Sequence, residues 1–553
     1  MKKRNILISI LAFFSTLSLS SCYFMNPNYD WINNRSSSSS SSTTGGTSDK
    51  VSYKEGTYDS SYSSDNLNLS NIGPGMGYHY MPSTGDVKIL VVPIEIKGES
   101  FESKYGSKWK ETINNGFFGD SSDTGWESVA SFYKKSSYGK LNITGTVTDK
   151  VTLTQTKSEF QKSFDSSNEN NKTYTDEVMV SVLNSLETDE DFDFSEYDAN
   201  NDGYIDAIWF IYSTEYDSSS KCFWAYTTWA NVDGNVNGVK PSCYAWASYK
   251  FLQEQDYRPG SAYTYEKYSD AHTYIHETGH MMGLDDYYSY DYEYSVSNKN
   301  GNADTPVGAN DMMDFNIGDH MAFSKYELGW ITPTVVTKEL ISTNNTLNLQ
   351  SLTESGKAYL IPIYKDGSTD YNGTPFDEYL LVEYYTPTNL NQADSKKGYG
   401  LSRQKMYTKP GVLVYHVNAR IGKIVATRNS GTIWDGTCYD KLPKYGSDSS
   451  WGSSYAYTFI YSNTSSYSWD QSLKETGYNY YRGRLVSLLP ANGVKIQGSK
   501  TGYASDRCLY TAGSKFDSTV YSSFKFDDGS TPAMGFKVLS TTDSDCSIQF
   551  GDF

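Results

Sequence analysis

Residues 276–286 read HETGHMMGLDD, and this stretch places two of the chain's six histidines four residues apart, with a glutamate directly after the first. On an α-helix, positions i and i+4 lie on the same face, so the imidazoles of His276 and His280 can point at one atom. Glu277 projects beside them. This spacing is typical of a helix that binds zinc, and we therefore predict a metal site here.

A third protein ligand is expected soon after this helix. Gly283 can end the helix with a left-handed turn that brings the chain back toward the metal. Asp286 lies on the returning segment, and its neighbour Asp285 is the rival candidate. Two histidines and one carboxylate leave the fourth position of a tetrahedral zinc open for water, as a catalytic site requires. Glu277 is then the predicted general base.

A second stretch, GANDMMDF at residues 308–315, contains two methionines in a turn-rich context. We predict that a methionine of this stretch forms an apolar floor under the metal, although an ordinary core methionine is the alternative. Two more histidines are near in sequence. For His272, one helical turn before the motif, the choices are packing in the core or supporting the ligands. For His320, after the methionines, they are a structural role or stabilising an oxyanion.

The chain before residue 331 alternates between predicted helices and strands. Continuous apolar runs predict buried strands at DVKILVVPIEI, residues 86–96, and at AIWFIYS, residues 207–213. The alternating LNITGTV, residues 141–147, predicts another. Amphipathic helices are predicted within WESVASFYKKSSYGK, ending at Gly139, and over residues 173–186.

The pattern changes after residue 331 to short strands separated by Gly, Asn, Asp and Ser turns. Examples are EYLLVEYY and GVLVYHV, which we read as alternating strands. The sequence thus predicts an α+β fold in two parts. We assign residues 86–335 to a catalytic domain and residues 336–553 to a β-rich C-terminal region.

The motifs together resemble those of the immune-inhibitor-A-type metalloproteases, a bacterial family of secreted zinc endopeptidases within the metzincin group. The similar stretches are HETGHMMGLDDYY, NDMMD, FSKYELGWITP, ASFYKKSSYGKLNITGTV and YDANNDGYIDAIWFIY. The resemblance extends from about residue 86 to residue 418. Beyond it, the chain matches only loosely.

This resemblance implies a zincin-like domain, with a mixed sheet and an active-site helix, followed by a sandwich-like β region. It also implies that His276, His280 and Asp286 bind zinc, that Glu277 is catalytic and that Met313 is the Met-turn residue. Asp285 stands where proline is common in the family. Family members vary in their third ligand, and we prefer Asp286 to Asp285 because the pattern H-E-x-x-H-x-x-G-x-x-H/D places the ligand there.

The stretch DANNDGYID, residues 198–206, has the spacing of the first half of a calcium loop, with Gly203 for the sharp turn. Its oxygen donors are Asp198, Asn200, Asp202, Asp206 and the carbonyl of Tyr204. The twelfth position is Trp209 instead of glutamate, so the loop is not an EF-hand. The alternative is an Asx-rich turn held by its own side chains.

The first residues predict export. Three basic residues precede an apolar run at residues 6–19, which is too short to span a membrane and is followed by Ser20, Ser21 and Cys22. We predict a lipoprotein signal at residues 1–21, lipidation of Cys22 and a flexible Ser/Thr-rich tether at residues 22–50. An ordinary secretory signal with an incidental cysteine is the alternative. Residues 51–85 form an N-terminal extension.

Charge and cysteine content limit the partners and the compartment. The chain has 47 basic and 65 acidic residues, a net charge of −18, which makes nucleic acid an unsuitable partner. A lipid on Cys22 would be its sole membrane contact. Cys222 and Cys243 bracket a loop, and we predict a disulfide between them in an exported protein.

These observations predict a surface-anchored, zinc-dependent endopeptidase that hydrolyses extracellular proteins, with calcium as a second metal. Two alternatives stay open. A glycoprotein-directed protease would recognise sugar beside the scissile bond. An inactive binding protein would retain the fold without catalysis, but it would have no need of Glu277.

Overall fold

The computed structural model of the protein describes residues 52–54, 69 and 79–551, apart from internal gaps. The gaps are residues 167–170, 188–191, 217–220, 231, 233, 254–268, 289–302, 305, 397–404, 428–430, 440–453, 465–483, 495, 499–502 and 522–523. The predicted signal, the lipidation site Cys22 and the tether lie outside the described residues. Within the described part, no helix is long and apolar enough to cross a membrane.

A mixed six-stranded sheet organises the first half of the chain. Its strands, in spatial order, are Leu141–Val147, Gly85–Lys97, Ile208–Tyr212, Cys243–Ser248 and Tyr226–Trp229, and Val151–Thr156 also pairs with the second of them. Neighbouring strands are parallel except at one edge, where Tyr226–Trp229 runs antiparallel to Cys243–Ser248. The strands predicted at residues 86–96, 141–147 and 207–213 are confirmed.

Helices cover both faces of this central sheet. Trp109–Phe118, Val129–Ser136 and His272–Met281 pack on one face, and Lys157–Ser166 and Asn171–Glu187 pack on the other. Shorter helices are Phe101–Tyr105, Ser121–Thr124 and Ala322–Glu327, with 3-10 turns at Phe194–Tyr197, Lys221–Phe223 and Tyr249–Gln253. Successive side chains of a strand point to opposite faces, so a strand between two helical layers is buried at consecutive positions. Residues 89–94 are buried in this way.

The helix predicted before Gly139 begins later and ends earlier than its amphipathic pattern suggested. It starts at Val129, where the hydroxyl of Ser128 accepts the backbone N–H of Ser131, and it ends at Ser136. A serine at the N-cap satisfies one of the backbone donors that a helix start leaves without a helical partner. Gly139 follows in the left-handed region, with φ of 78°.

Two further sheets form the core of the C-terminal region. One has the order Thr334–Val335, Ala358–Pro362, Glu378–Tyr385, Gly411–Asn418 and Val486–Leu488. The other has the order Thr346–Gln350, Asp545–Gly551, Gly535–Thr541 and Lys515–Phe516. One face of the five-stranded sheet shares a hydrophobic core with the four-stranded sheet, through residues such as Val414 and Ile548.

The opposite face of the five-stranded sheet joins the core that contains the helix His272–Met281. Leu381 and Leu413 belong to that core, and Leu380 and Val414 belong to the core shared with the four-stranded sheet. Glu378–Tyr385 and Gly411–Asn418 are therefore buried at every position, and our reading of them as alternating strands is wrong. A sheet that is covered on both faces has no solvent side to which polar residues could point.

The remaining elements are small. A fourth sheet has the order Ser52–Lys54, Gly431–Tyr439, Ile421–Thr427 and Ser454–Phe459. Two-stranded pairs join Tyr204–Ile205 to Lys240–Pro241, Ala303–Asp304 to Gln497–Gly498, and Tyr364–Lys365 to Ser368–Thr369. Short helices lie at Lys338–Thr343, Leu352–Ser355 and Gln392–Lys396, with 3-10 turns at Asn389–Asn391 and Asp506–Cys508. The protein is therefore a mixed α+β fold, as predicted.

Cys222 and Cys243 do not form the disulfide that we predicted. Both side chains are buried, but Cys222 belongs to the core on one face of the central sheet and Cys243 to the core on the other. The sheet therefore separates the two sulfur atoms. Burial raises the pKa of the Cys243 thiol, so this thiol stays protonated and unreactive. Sequence separation alone does not reveal which face of a sheet a cysteine occupies.

Candidate metal centre

The helix His272–Met281 carries the first candidate ligands and is buried along its whole length. It lies beneath the edge strand Tyr226–Trp229. The Tyr133 hydroxyl donates to the backbone carbonyl of Ile275 at 2.6 Å, and the Tyr274 hydroxyl donates to that of Ser248 at 2.9 Å. These bonds fix the rotation of the helix, and with it the direction in which its histidines point.

The turn predicted at Gly283 is present. The helix ends at Met281, and Gly283 has φ of 101°. The backbone N–H of Leu284 donates to the carbonyl of Gly279 at 3.2 Å, which reverses the chain. A Cβ on Gly283 would also lie 3.0 Å from the ring of Tyr80, so both backbone conformation and packing favour glycine here.

The reversal brings Asp286 to the two histidines. Its Oδ1 lies 2.9 Å from Nε2 of His276 and 3.3 Å from Nε2 of His280. Zinc bonds of 2.0–2.1 Å in a tetrahedron would separate neighbouring ligand atoms by about 3.3 Å. Among the described residues, this is the one group of three His, Cys, Asp or Glu side chains whose ligand atoms all lie within 4.8 Å of one another. The donor set and spacing fit zinc.

Backbone carbonyls fix the tautomer of both imidazoles. Nδ1 of His276 lies 2.7 Å from the carbonyl oxygen of Met312, and Nδ1 of His280 lies 2.8 Å from that of Leu284. A carbonyl only accepts hydrogen bonds, so each Nδ1 carries the proton and each Nε2 faces Asp286 with its lone pair when the ring is neutral. This is the arrangement that histidine ligands of metals require.

The charges of the metal-free site depend on one another. Burial opposes a charge on His280, but the carboxylate of Asp286 outweighs it and raises the pKa of His280 to about 9. Burial likewise opposes a charge on Asp286, but the imidazoles of His280 and His276 hold its pKa well below the usual range. At neutral pH, His280 and Asp286 are therefore a buried ion pair whose proton a metal ion must displace.

Glu277 is fully buried beside the ligands. The hydroxyl of Thr227, on the edge strand, lies 2.9 Å from Oε2 of Glu277 and 3.0 Å from its backbone carbonyl. A hydroxyl that donates to one carboxylate oxygen fixes the orientation of the other, Oε1. The arrangement can therefore present an acceptor for a proton next to a metal ion.

Met313 packs directly against the helix His272–Met281. A Cβ built on Gly279 would lie 2.4 Å from the Met313 sulfur, so the glycine of HETGH makes room for this methionine. Asp311 holds the turn: its Oδ1 accepts the backbone N–H of Met313 at 2.7 Å, and its Oδ2 accepts that of Met321 at 2.7 Å. Met313 is thus a buried core residue, and its role as a floor under the metal stays a prediction.

Asp285 points away from the ligand group. Its Oδ2 accepts the hydroxyl of Ser462 at 2.7 Å, and its Oδ1 accepts the backbone N–H of Asp286 at 3.0 Å. Burial, followed by the neighbouring Asp286 carboxylate, raises the pKa of Asp285 to about 6. The geometry therefore favours Asp286 over Asp285 as the third ligand.

The two remaining histidines near the motif lie in the core. Nε2 of His272 lies 2.8 Å from the carbonyl of Asn316, just after the methionine turn. Nδ1 of His320 lies 3.0 Å from Oδ1 of Asp311, and its ring packs edge-on against Phe132. These contacts agree with the packed alternative for His272 and with the structural role for His320.

The predicted calcium residues lie in one loop, which closes on itself. Oδ1 of Asp198 accepts the N–H of Asp202 at 3.0 Å, and Oδ1 of Asp202 accepts the N–H of Tyr204 at 3.0 Å. Asn200 Oδ1 also accepts the N–H of Asp202, at 3.1 Å, and Oδ2 of Asp206 accepts a backbone N–H at 2.7 Å. These are the bonds of an Asx-rich turn, and calcium binding stays a prediction.

Two kinds of supporting residue gave no signal in the sequence. Thr227 lies 50 positions before Glu277 in an ordinary strand. The carbonyls of Met312 and Leu284 act through the backbone, which every residue possesses. Asp311 is different, because it lies inside the NDMMD stretch and a reading of that stretch for turn-capping side chains would have found it.

Comparisons with known proteins identify no relative: no family model matches the chain, and no curated protein matches it significantly. The resemblance to the immune-inhibitor-A-type proteases therefore rests on the sequence motifs.

Proposed function

We propose that this protein is a zinc-dependent endopeptidase of the metzincin type, similar to the immune-inhibitor-A-type proteases. It would be exported and held at the cell surface by a lipid on Cys22. The observation that carries the proposal is the convergence of His276, His280 and Asp286, with both Nδ1 atoms bonded to carbonyls. Glu277, which is fully buried and directly follows His276 in sequence, would be the general base.

Zinc, when bound, would supply a Lewis acid that activates water and polarises the carbonyl of a peptide bond. Glu277 would take the proton from that water and deliver it to the departing amine. Thr227 would keep the carboxylate in the required orientation. A metal with three protein ligands keeps one position for this chemistry, whereas a structural zinc would fill it with a fourth ligand.

The proposal also specifies how substrate would lie. Tyr226–Trp229 pairs along one side with Cys243–Ser248, and within the described residues its other side pairs with no strand. An extended peptide could add to this edge through backbone hydrogen bonds, which are independent of sequence, only if the strand, which is buried at all four positions, becomes accessible. This placement suits protein and peptide substrates. We also propose that the two C-terminal sheets pack as a sandwich, the arrangement that the resemblance implies for this region.

The decisive experiment compares Glu277→Gln with the parent in peptide-library cleavage, together with metal analysis. The variant should retain zinc and thermal stability and lose at least about a hundredfold in rate, because it retains the shape of the side chain but cannot accept the proton. Glu378→Gln is the control, since it changes another buried glutamate that contacts His416 in the C-terminal sheet. Unchanged cleavage by Glu277→Gln would refute the catalytic role, and a zinc-loaded parent that cleaves nothing would favour the binding-protein alternative.

A further inference from the structure

A short segment of the C-terminal region holds the residues on both sides of Asp286. The Ser462 hydroxyl donates to Oδ2 of Asp285 at 2.7 Å, and Oδ1 of Asp285 accepts the backbone N–H of Asp286 at 3.0 Å. On the other side, Nδ2 of Asn463 donates to the backbone carbonyl of Tyr287 at 3.0 Å. Two consecutive residues therefore bind the two neighbours of the third ligand.

Asn463 is itself anchored to the five-stranded sheet. Its Nδ2 also donates to the carbonyl of Val486 at 2.9 Å, and its Oδ1 accepts the N–H of Val486 at 3.2 Å. Val486 is the first residue of the strand Val486–Leu488. The side chain of Asn463 is fully buried, and both its amide nitrogen and its amide oxygen form hydrogen bonds. The hydrogen bonds of this one buried side chain thus connect the sheet to the segment that carries Asp286.

The segment from Gly283 to Tyr287 needs such support. It contains no helix or strand, so side chains and neighbouring loops must bind its backbone groups. The N–H of Tyr287 donates to the carbonyl of Met313 at 3.0 Å, and its carbonyl is the one that accepts from Asn463. The methionine turn thus holds one backbone group of Tyr287, and the C-terminal region holds the other.

We infer that the C-terminal region completes the metal site, with Asn463 as a positioning residue for Asp286 and Ser462 assisting through Asp285. The inference rests on the proposed function in one respect, that His276, His280 and Asp286 hold zinc. Outer partners that orient metal ligands typically change metal affinity 10–100-fold. The region after residue 336 is then a part of the catalytic unit and not a separable appendage.

The test measures zinc affinity by competition with a chelating dye, on the purified full chain, for the parent and three variants. Asn463→Ala should weaken zinc binding about tenfold or more, and Ser462→Ala should weaken it by a smaller factor. Asn418→Ala is the matched control. Asn418 is equally buried and belongs to the sheet to which Asn463 is hydrogen-bonded, but its Nδ2 donates to Oδ2 of Asp527 at 2.9 Å.

Thermal unfolding of each variant separates positioning from general damage. The inference requires that Asn463→Ala and Asn418→Ala both lower the Tm while only the first loses zinc affinity. Parent-like affinity in Asn463→Ala would overturn it, as would an equal loss in Asn418→Ala. If Asn463→Ala does not fold, Ser462→Ala decides, and parent-like affinity in that variant overturns the inference. A parent chain that binds no zinc would refute the proposed function as well, which distinguishes the two failures.

Discussion

Zinc binding should release a proton from His280. The carboxylate of Asp286, acting against the effect of burial, raises the pKa of His280 to about 9, so the metal-free ring is protonated at pH 6 and at pH 7. Zinc requires the neutral ring. The apparent zinc affinity should therefore rise about tenfold between pH 6 and pH 7, or ~1.4 kcal/mol for the one pH unit.

Isothermal titration calorimetry in buffers of different ionisation enthalpy counts the released protons directly. The count is best made at pH 6, because a water on catalytic zinc ionises near pH 7 and would add a proton of its own at higher pH. We expect about one proton per zinc at pH 6. A count near zero, or an affinity that is flat between pH 6 and pH 7, would refute the ion pair between His280 and Asp286.

Two variants test the assignment of the third ligand in the same assay. Asp286→Asn should lose zinc at concentrations that saturate the parent, because it removes the carboxylate that serves as the third ligand. Asp285→Asn should bind nearly as the parent does, since the amide retains an oxygen that can accept the N–H of Asp286. An exchange of these two outcomes would move the ligand to Asp285.

The edge strand, the methionine floor and the acidic loop give three further predictions. Thr227→Val should lower kcat ~10-fold and leave KM and zinc content unchanged. It should also move the acid limb of the pH–rate profile to higher pH, because the ionised Glu277 loses a hydrogen bond. The control is Thr228→Val, which should behave as the parent because Thr228 faces the opposite side of the sheet. Gly279→Ala should lower the free energy of unfolding by ~1–3 kcal/mol, because the new methyl group clashes with the sulfur of Met313. Met313→Ala in the same chain should relieve this clash, so the double variant should lose less stability than the sum of the two single variants. Burial, followed by neighbouring carboxylates, raises the pKa of Asp206 to about 7, so the calcium-free protein should lose stability as pH rises from about 4 to about 7. Calcium should then raise the Tm at pH 7.5 and not at pH 5, and a Tm indifferent to calcium at both pH values would leave the Asx-rich turn as the account of this loop.

The part of the candidate site that the sequence predicts well is the part that depends on local spacing. The four-residue interval between His276 and His280 fixes both rings on one helical face, whatever else the chain does. Gly283 reverses the chain because a glycine adopts positive φ without strain, and the reversal places Asp286 within reach. The continuous apolar runs at residues 86–96 and 207–213 likewise predicted their strands, because a strand buried on both faces has no polar positions.

What the sequence alone determined is therefore the chemistry of the candidate ligands and the elements that carry them. Only the tertiary structure decided that Thr227 touches Glu277, that Asn463 braces the segment of Asp286, and that the central sheet separates Cys222 from Cys243. The physical reason is the same in each case. Helical spacing and turns depend on neighbours in sequence, but these contacts join residues far apart along the chain, and they exist only after separate layers have packed against one another.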